Sequence, residues 1–492
     1  MLQFEVQNGR TYIVGADSYI LDRIDQVIRY PVQDEDTEYY TDGDIETAWD
    51  GWIRFLHRPK TMYPWFPTGL LAYVIPAIQG MDYQILDRRL VPPEEIPYFI
   101  DTNLRPYQKE AVSKALRMGR GVFDMVPRSG KTRCGIDLYQ RLALPTIWVA
   151  PTSPIVRQTA EVINSFFGNE HAEVVKGVGK IKDVMDVPLV VTTAATAKDL
   201  PKSFYQTRQC IIIDEFHHSS SRSYAKIFGN CDHIFYRYGM TGTFFRSYGD
   251  DMAMHAHLSN VIYRVDSFKL LELGFLVPTK VLFIPVNAPK VNCNGESAFN
   301  KGHGKFGIHQ HLLRNQMVAR CTQFLNSTGR TVLILVGTKV QGRILRDMLV
   351  SYFSKVPVTE FRPVQFVSSD TPKIEFEKVK ESFINRGEVQ VLIGTSVIGE
   401  GVDLPTADAL VYACGQKARV QVVQNAYRVG TMSPGKSHAV LVDFVDRHHR
   451  KLMEHTEERA KIYCNEPTFE VDVVDGMQDF ESRFVNFPVS NV

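Results

Sequence analysis

Two short stretches carry residue types that could do phosphate chemistry. The first, CIIIDE at residues 210–215, is an apolar run with the length and branching of a strand buried on both faces. It delivers two carboxylates at its carboxyl end, the edge where open α/β sheets bind ligands. A carboxylate there can hold Mg²⁺ through its water shell, which suits Asp214. The next can orient and deprotonate an attacking water, which suits Glu215. The second stretch, GVFDMVPRSGKT at residues 121–132, reads as an apolar strand, a tight loop and a helix start. Backbone N–H groups at Arg128, Ser129 and Gly130 would cradle phosphate at the helix N-terminus. Lys131 would reach the outer oxygens and the Thr132 hydroxyl would ligate the metal. Met125 stands where a phosphate loop carries its first glycine, so only the second half of that pattern is present.

These side chains need a sheet to hold them in register. Strand-loop units recur through the region, TIWVAPTSPIVRQ, LVVTTAATAKDL, the carboxylate strand and YRYGMTGTFFR, alternating with helical patterns. That alternation predicts a parallel α/β sheet. The loop tips Thr152, Arg157, Thr192 and Thr193 would share one rim suited to a nucleic-acid backbone, and Thr241 and Thr243 would couple that rim to His217. As lone residues, such threonines also serve as helix caps or turns. Gln108, in LRPYQKEAV ahead of the phosphate loop, can read an adenine ring through its amide.

Composition bounds the reading. A chain of 492 residues has room for about three domains, and 44% hydrophobic with 23% charged residues is ordinary for a globular protein. Seven scattered cysteines form no CxxC pair, which argues against a disulfide framework or a zinc site and for a reducing cytoplasm, a host's if the chain is phage-encoded. The start MLQFEVQNGRTY lacks a signal-peptide core, and no apolar run is long enough to span a bilayer. Residues 1–100 carry 16 acidic and 8 basic side chains, the remainder 39 and 48. The basic surplus therefore lies with the phosphate-binding region, where a polyanion track is expected. Residues 1–95 read as a small α/β accessory domain. Its segment WIRFLHRPKTMYPWFPTG interleaves Arg54, Arg58 and Lys60 with Tyr63, Trp65 and Phe66, a mixture that serves either nucleic-acid contact or simply the domain's core. The loop 291–307 reads as a surface insertion, and the residues after Asn465 as an extended acidic tail.

In that order, LRPYQ, SGKT, APTSPIVRQ, VVTTAAT, IIIDEFHH and MTGT resemble the first RecA-like domain of superfamily two nucleic-acid helicases. VLILVGTKVQGRIL, VLIGTSVIGEGVDLP and RVQVVQNAYRVGTMSPGK are similar to motifs four, five and six on a second such domain. The crossover VIYRVDSFKLLELGFLVPTKVLFIPV and the N-terminal WIRF, FPTGLL and YQILDRR are similar to UvsW-type phage branch-migration helicases. The resemblance implies tandem RecA-like parallel-sheet domains at 100–272 and 273–465, behind an accessory DNA-binding domain at 1–95 and ahead of a tail at 466–492. It implies ATP with Mg²⁺, backbone grips at Thr338 and Thr395, a ribose contact at Asp403, and Gln424 and Arg428 facing the γ-phosphate. It implies an ATP-dependent DNA helicase or translocase acting on forks and junctions in replication, recombination and repair, as a monomer. Competing readings are an RNA helicase, a restriction-type translocase, and a junction-binding clamp with weak ATPase. The clamp is motivated by Met125 in the phosphate loop and by Thr431, which stands where motif six usually carries its last arginine; Tyr427 in that motif replaces a glycine.

Overall fold

The computed structural model describes every residue except 32–50, 99, 169–170, 217–221, 243–250, 292–301, 303, 355–363, 396–397, 399–403, 418 and 485–492. The described residues form two compact units, Met1–Val265 and Asp266–Val492. This division falls earlier than the expected 272/273 boundary, because the helix Ser267–Glu272 belongs to the second unit.

The first unit begins with β1 (Leu2–Val6), β2 (Arg10–Val14), the paired short strands β3 (Arg29–Pro31) and β4 (Trp52–Arg54), β5 (Trp65–Pro67) and β6 (Tyr83–Asp87). Four of them form a sheet in the order β5-β2-β1-β6. Burial alternates along β1 and β2, as it must when one face is packed and the other wet. The packed face sets Phe4, Ile13 and Phe66 against Ile24 of α1 (Ser18–Val27) and Val74 of α2 (Leu71–Ala77). This accessory sheet is fastened to the rest of the unit. The Asn8 amide donates to the carbonyls of Leu90 (3.0 Å) and His233 (2.5 Å), and Arg120 donates to Asn8 O (2.8 Å). Gly69 lies so close to His255 O that a Cβ there would stand 2.0 Å from it.

The larger sheet of this unit comprises β7 (Arg120–Met125), β8 (Thr146–Ala150), β9 (Ala172–Val175), β10 (Leu189–Thr193), β11 (Cys210–Ile213), β12 (Tyr236–Thr241) and β13 (Val261–Val265). Its order is β13-β7-β12-β11-β8-β10-β9, and every pairing is parallel. The central β8 and β11 are buried at every position, so they read as continuous apolar runs rather than alternating ones. Among the covering helices, α3 (Pro106–Met118), α4 (Lys131–Leu142) and α5 (Ser153–Phe167) open towards the sheet's carboxyl edge.

The second unit repeats the plan. Strands β14 (Thr279–Pro285), β15 (Val332–Leu335), β16 (Val364–Val367), β17 (Val391–Gly394), β18 (Ala409–Tyr412), β19 (Ala439–Val445) and β20 (Phe469–Val473) pair in parallel in the order β16-β17-β15-β18-β19-β14-β20. The fold class is that expected from the sequence, two RecA-like parallel sheets with a small N-terminal α/β region.

Two expectations are corrected. Residues 466–484 are not an extended tail: β20 closes the second sheet beside β14, and the helix Met477–Phe484 buries Phe480 and Phe484 in its core. Tyr427, in the place of the family's glycine, fastens this segment. It is 1% exposed, its hydroxyl donates to Glu466 Oε2 (2.6 Å), and its ring lies 5.3 Å from that of Phe469. Burial, reinforced by the Glu466 charge, holds its phenol above the usual range.

The loop 291–307 also differs from the expectation of a surface insertion. Much of it lies outside the described residues, but Lys305–His309 forms a helical turn with Gly307, Ile308 and His309 buried. His309 is 2% exposed, and burial, aided by the Arg314 charge, pushes its imidazole down to about 4. The folded state therefore binds fewer protons than the unfolded one between about pH 6.5 and 4, so stability falls as pH is lowered through that window. Denaturant unfolding of the second unit is expected to lose about 2 kcal/mol between pH 7 and pH 5, and His309→Gln to flatten that dependence.

Candidate functional site

The carboxyl edge of the first large sheet gathers the chemistry. Between the end of β7 and the start of α4 the chain reverses with Arg128 at φ 72° and Gly130 at φ 80°. A Cβ on Gly130 would lie 2.3 Å from Gln108 Nε2, so a glycine is needed for space as well as for dihedral angle. Gln108 is 2% exposed. Its Nε2 and the Tyr107 hydroxyl both donate to Ser129 O (2.7 and 2.8 Å), and its Oε1 accepts from Arg105 N (2.8 Å). Gln108 thus caps α3 and pins the phosphate loop, and its amide is spent on backbone rather than offered to an adenine ring, which corrects that expectation.

Lys131 Nζ donates to Met125 O (3.2 Å) and stands 3.7 Å from Glu215 Oε1. The loop after β7 and the carboxylates after β11 meet because only β12 separates their strands. Gly242, just past β12, leaves the room: a Cβ there would stand 3.0 Å from Lys131 Nζ. Asp214 is 6% exposed, with its N–H on Val149 O (2.8 Å) and its Oδ1 accepting from Glu215 N (3.0 Å). Glu215 has φ 47°, a left-handed conformation that costs a non-glycine residue about 1–3 kcal/mol and recurs at functional sites. Thr132 lies half-buried in the first turn of α4. The Ser129 hydroxyl is buried with no hydrogen-bond partner among the described residues. A lysine at a helix N-terminus, an orphaned hydroxyl and two carboxylates on one edge fit a triphosphate, and the all-oxygen donor set suits Mg²⁺.

The rim residues divide. Thr152 stands at the N-cap of α5 and Arg157 is exposed one turn on. Thr192 is not on the rim: it is fully buried and its hydroxyl donates to Val175 O (2.8 Å), tying β10 to β9. Thr193 accepts from Thr196 N (3.2 Å) as a helix cap, the role short-side-chain hydroxyls most often take. Thr241 is fully buried at the end of β12. His217, Thr243 and Asp403 lie outside the described residues.

In the second unit, Thr338 and Thr395 follow the neighbouring strands β15 and β17. Thr338 caps the helix Lys339–Phe353, accepting from Gln341 N (3.2 Å), and Thr395 is nearly buried. Gln424 is half-buried on the helix Arg419–Ala426. Arg428 is 5% exposed and donates to Asn425 Oδ1 (3.2 Å). Sequence reasoning missed Gly242 and Gln341, although Thr338-x-x-Gln341 is a capping-box spacing.

Comparison with known proteins supports this architecture. Residues 101–246 match the family described as type III restriction enzyme, res subunit, and residues 307–433 match the helicase conserved C-terminal domain. The chain is 24% identical to the DNA 3'-5' translocase XPB2 of Sulfurisphaera tokodaii over 70% of its length and 82% of that protein. It is 21% identical to the ATP-dependent DNA helicase uvsW of Enterobacteria phage T4, over 85% and 89% of the two chains. A fragment of a putative HsdR subunit of a type I restriction enzyme from Vibrio vulnificus superposes with a TM-score of 0.56 at 18% identity, covering 78% of this chain and 70% of that one, a likeness of fold. With both halves of a helicase core matched in order on two parallel sheets, the chain belongs to the superfamily two helicases, within their ATP-dependent DNA helicases and translocases.

Proposed function

We propose that this protein is an ATP-driven translocase, acting as a monomer, that remodels branched DNA by fork regression and branch migration. The observation that carries the branched-DNA part of this reading is the fastening of the accessory domain to the first motor sheet through Asn8, Arg120 and Gly69. A module fixed in this way is carried along by the motor and can act as a wedge where strands diverge. Its face is narrower than the sequence implied. Phe66 is core, Trp65 is stacked on His57 with ring centroids 3.9 Å apart and lies under Arg10, and Arg54 and Arg58 pair with Asp25 and Asp22. Tyr63, 59% exposed, with Lys60 and Met62 beside it in the chain, remains to meet a branch point.

In the reaction proposed, Lys131 neutralises the outer phosphate oxygens while the backbone N–H groups at Arg128–Gly130 orient them. Thr132 and Asp214 would hold Mg²⁺, whose positive charge would be supplied against the same oxygens. Glu215 takes the proton of the attacking water. Gln424 and Arg428 act on the γ-phosphate, Asp403 on the ribose, and Thr152, Arg157, Thr338 and Thr395 grip the DNA backbone.

DNA-stimulated hydrolysis should be higher with four-way junctions and forks than with linear duplex, single strands or RNA, and Tyr63→Ala should lower the branched-DNA rates selectively. Equal stimulation by all substrates would remove the branch-specific reading. Lys131→Ala should cost about 10²- to 10³-fold in kcat with DNA binding retained. Unchanged turnover would reject the phosphate-loop role.

A further inference from the structure

The second unit holds a buried polar network that none of these roles uses. At its centre is Gln341, fully buried. On one side its Oε1 accepts from Gly337 N (3.1 Å) and its own backbone N–H donates to Thr338 Oγ1 (3.2 Å), so it closes the turn that presents Thr338. On the other side its Nε2 donates to Ala413 O (3.1 Å) and Asn315 Oδ1 (3.3 Å).

Ala413 begins the segment running from β18 into the helix Arg419–Ala426, and the carbonyls of that segment are tied from several directions. Ala413 O accepts a second bond from Arg314 Nη1 (2.8 Å), whose guanidinium is held by Asp446 (2.7 and 3.4 Å). Gly415 O accepts from Arg459 Nη1 (3.2 Å), held in turn by both oxygens of Asp443 (2.8 and 2.9 Å). Gln416 O accepts from the Tyr412 hydroxyl (3.4 Å). Arg314, Arg459, Asp443 and Asp446 are all buried, where a broken bond leaves an unsatisfied group instead of a solvated one.

We infer that Gln341 is a positioning residue that couples the Thr338 turn to the segment carrying Gln424 and Arg428, so that gripping DNA and aligning the γ-phosphate groups become one event. The inference rests on the function proposed above, because it takes Thr338 as a DNA grip. Its physical basis is that one planar amide is bonded to both places at once. A displacement of the turn must either carry Ala413 with it or leave the fully buried Gln341 amide donor without its carbonyl partner. The second course strands a donor that water does not reach, and the first works against Arg314 and Arg459, which hold the same segment, so the turn and the segment share one resting position.

Two substitutions separate the arms. Gln341→Glu keeps an acceptor for Gly337 N but loses the donor to Ala413 O. Gln341→Met loses both. Turnover without DNA, turnover with saturating duplex and the DNA Kd are measured for each. In Gln341→Glu, DNA stimulation should fall by about 5- to 150-fold, the usual span of coupling between sites, with basal turnover and DNA Kd unchanged. Gln341→Met should show the same loss and weaker DNA binding as well. Full stimulation in both variants overturns the coupling, as does a proportional fall in basal and stimulated rates, which is what a merely structural role predicts. A wild-type enzyme whose hydrolysis ignores DNA overturns the proposed function, and this inference with it.

Discussion

Glu215→Gln is expected to bind ATP as the wild type does and to hydrolyse it about 10²- to 10⁴-fold more slowly. The amide fills the same space, so the left-handed turn at residue 215 and the hydrogen bond from Glu215 N to Asp214 Oδ1 are preserved. What is lost is the basic oxygen and, with it, the charge 3.7 Å from Lys131 Nζ. Loss of that charge leaves Lys131 more available to phosphate, so nucleotide affinity should hold or rise while kcat collapses. Single-turnover hydrolysis beside equilibrium nucleotide binding checks both halves. A wild-type rate would reject Glu215 as the base.

Arg428→Ala is expected to lower kcat by at least about 10²-fold, and towards the 10³- to 10⁵-fold range known for catalytic arginines if it acts alone. The departure from the family pattern sharpens this expectation. Thr431 stands where a second arginine is usual, but its hydroxyl is buried without a hydrogen-bond partner among the described residues and its backbone bridges to Leu276. It supplies no charge. Since Arg428 is itself buried and donates to the half-buried Asn425 side chain, its removal also takes a donor from that amide, so folding must be checked by thermal melting before the rate is read. Near wild-type turnover in a folded variant would take Arg428 off the catalytic list and make Arg419 the next to test.

The parts of the fold legible in the sequence are those with a local chemical signature. Ile211–Ile213 ending in Asp214 and Glu215 can be placed because a doubly buried parallel strand is apolar throughout. Ser129–Thr132 can be placed because a phosphate loop is a local motif. The threonines are harder, since a hydroxyl at a strand end can face a ligand, cap a helix or bond a neighbouring strand. Thr192 bonds Val175 O and Thr193 bonds Thr196 N, and nothing in the residue type distinguishes these from Thr152. Gln108 misleads for a related reason: an amide serves backbone and base equally well, and only the placement of Ser129 O decides. The strand Phe469–Val473 reads as tail because its burial pattern is only partial, as befits an edge strand that pairs on one side.

That edge strand bears on the order in which the chain acquires structure during synthesis. β14 is the first strand of the second unit to be made, yet both its partners, β19 and β20, are the last. The first large sheet is complete once Val265 has emerged, whereas β14 must wait for residues 439–473 with both its backbone edges unpaired. Long-range parallel pairing of this kind is slow to form and leaves an apolar strand open to wrong partners meanwhile. The Tyr427–Glu466 bond and the burial of Phe480 and Phe484 then act as the final latch. Ribosome-released chains lacking residues after about 465 should leave the first unit native and the second aggregation-prone.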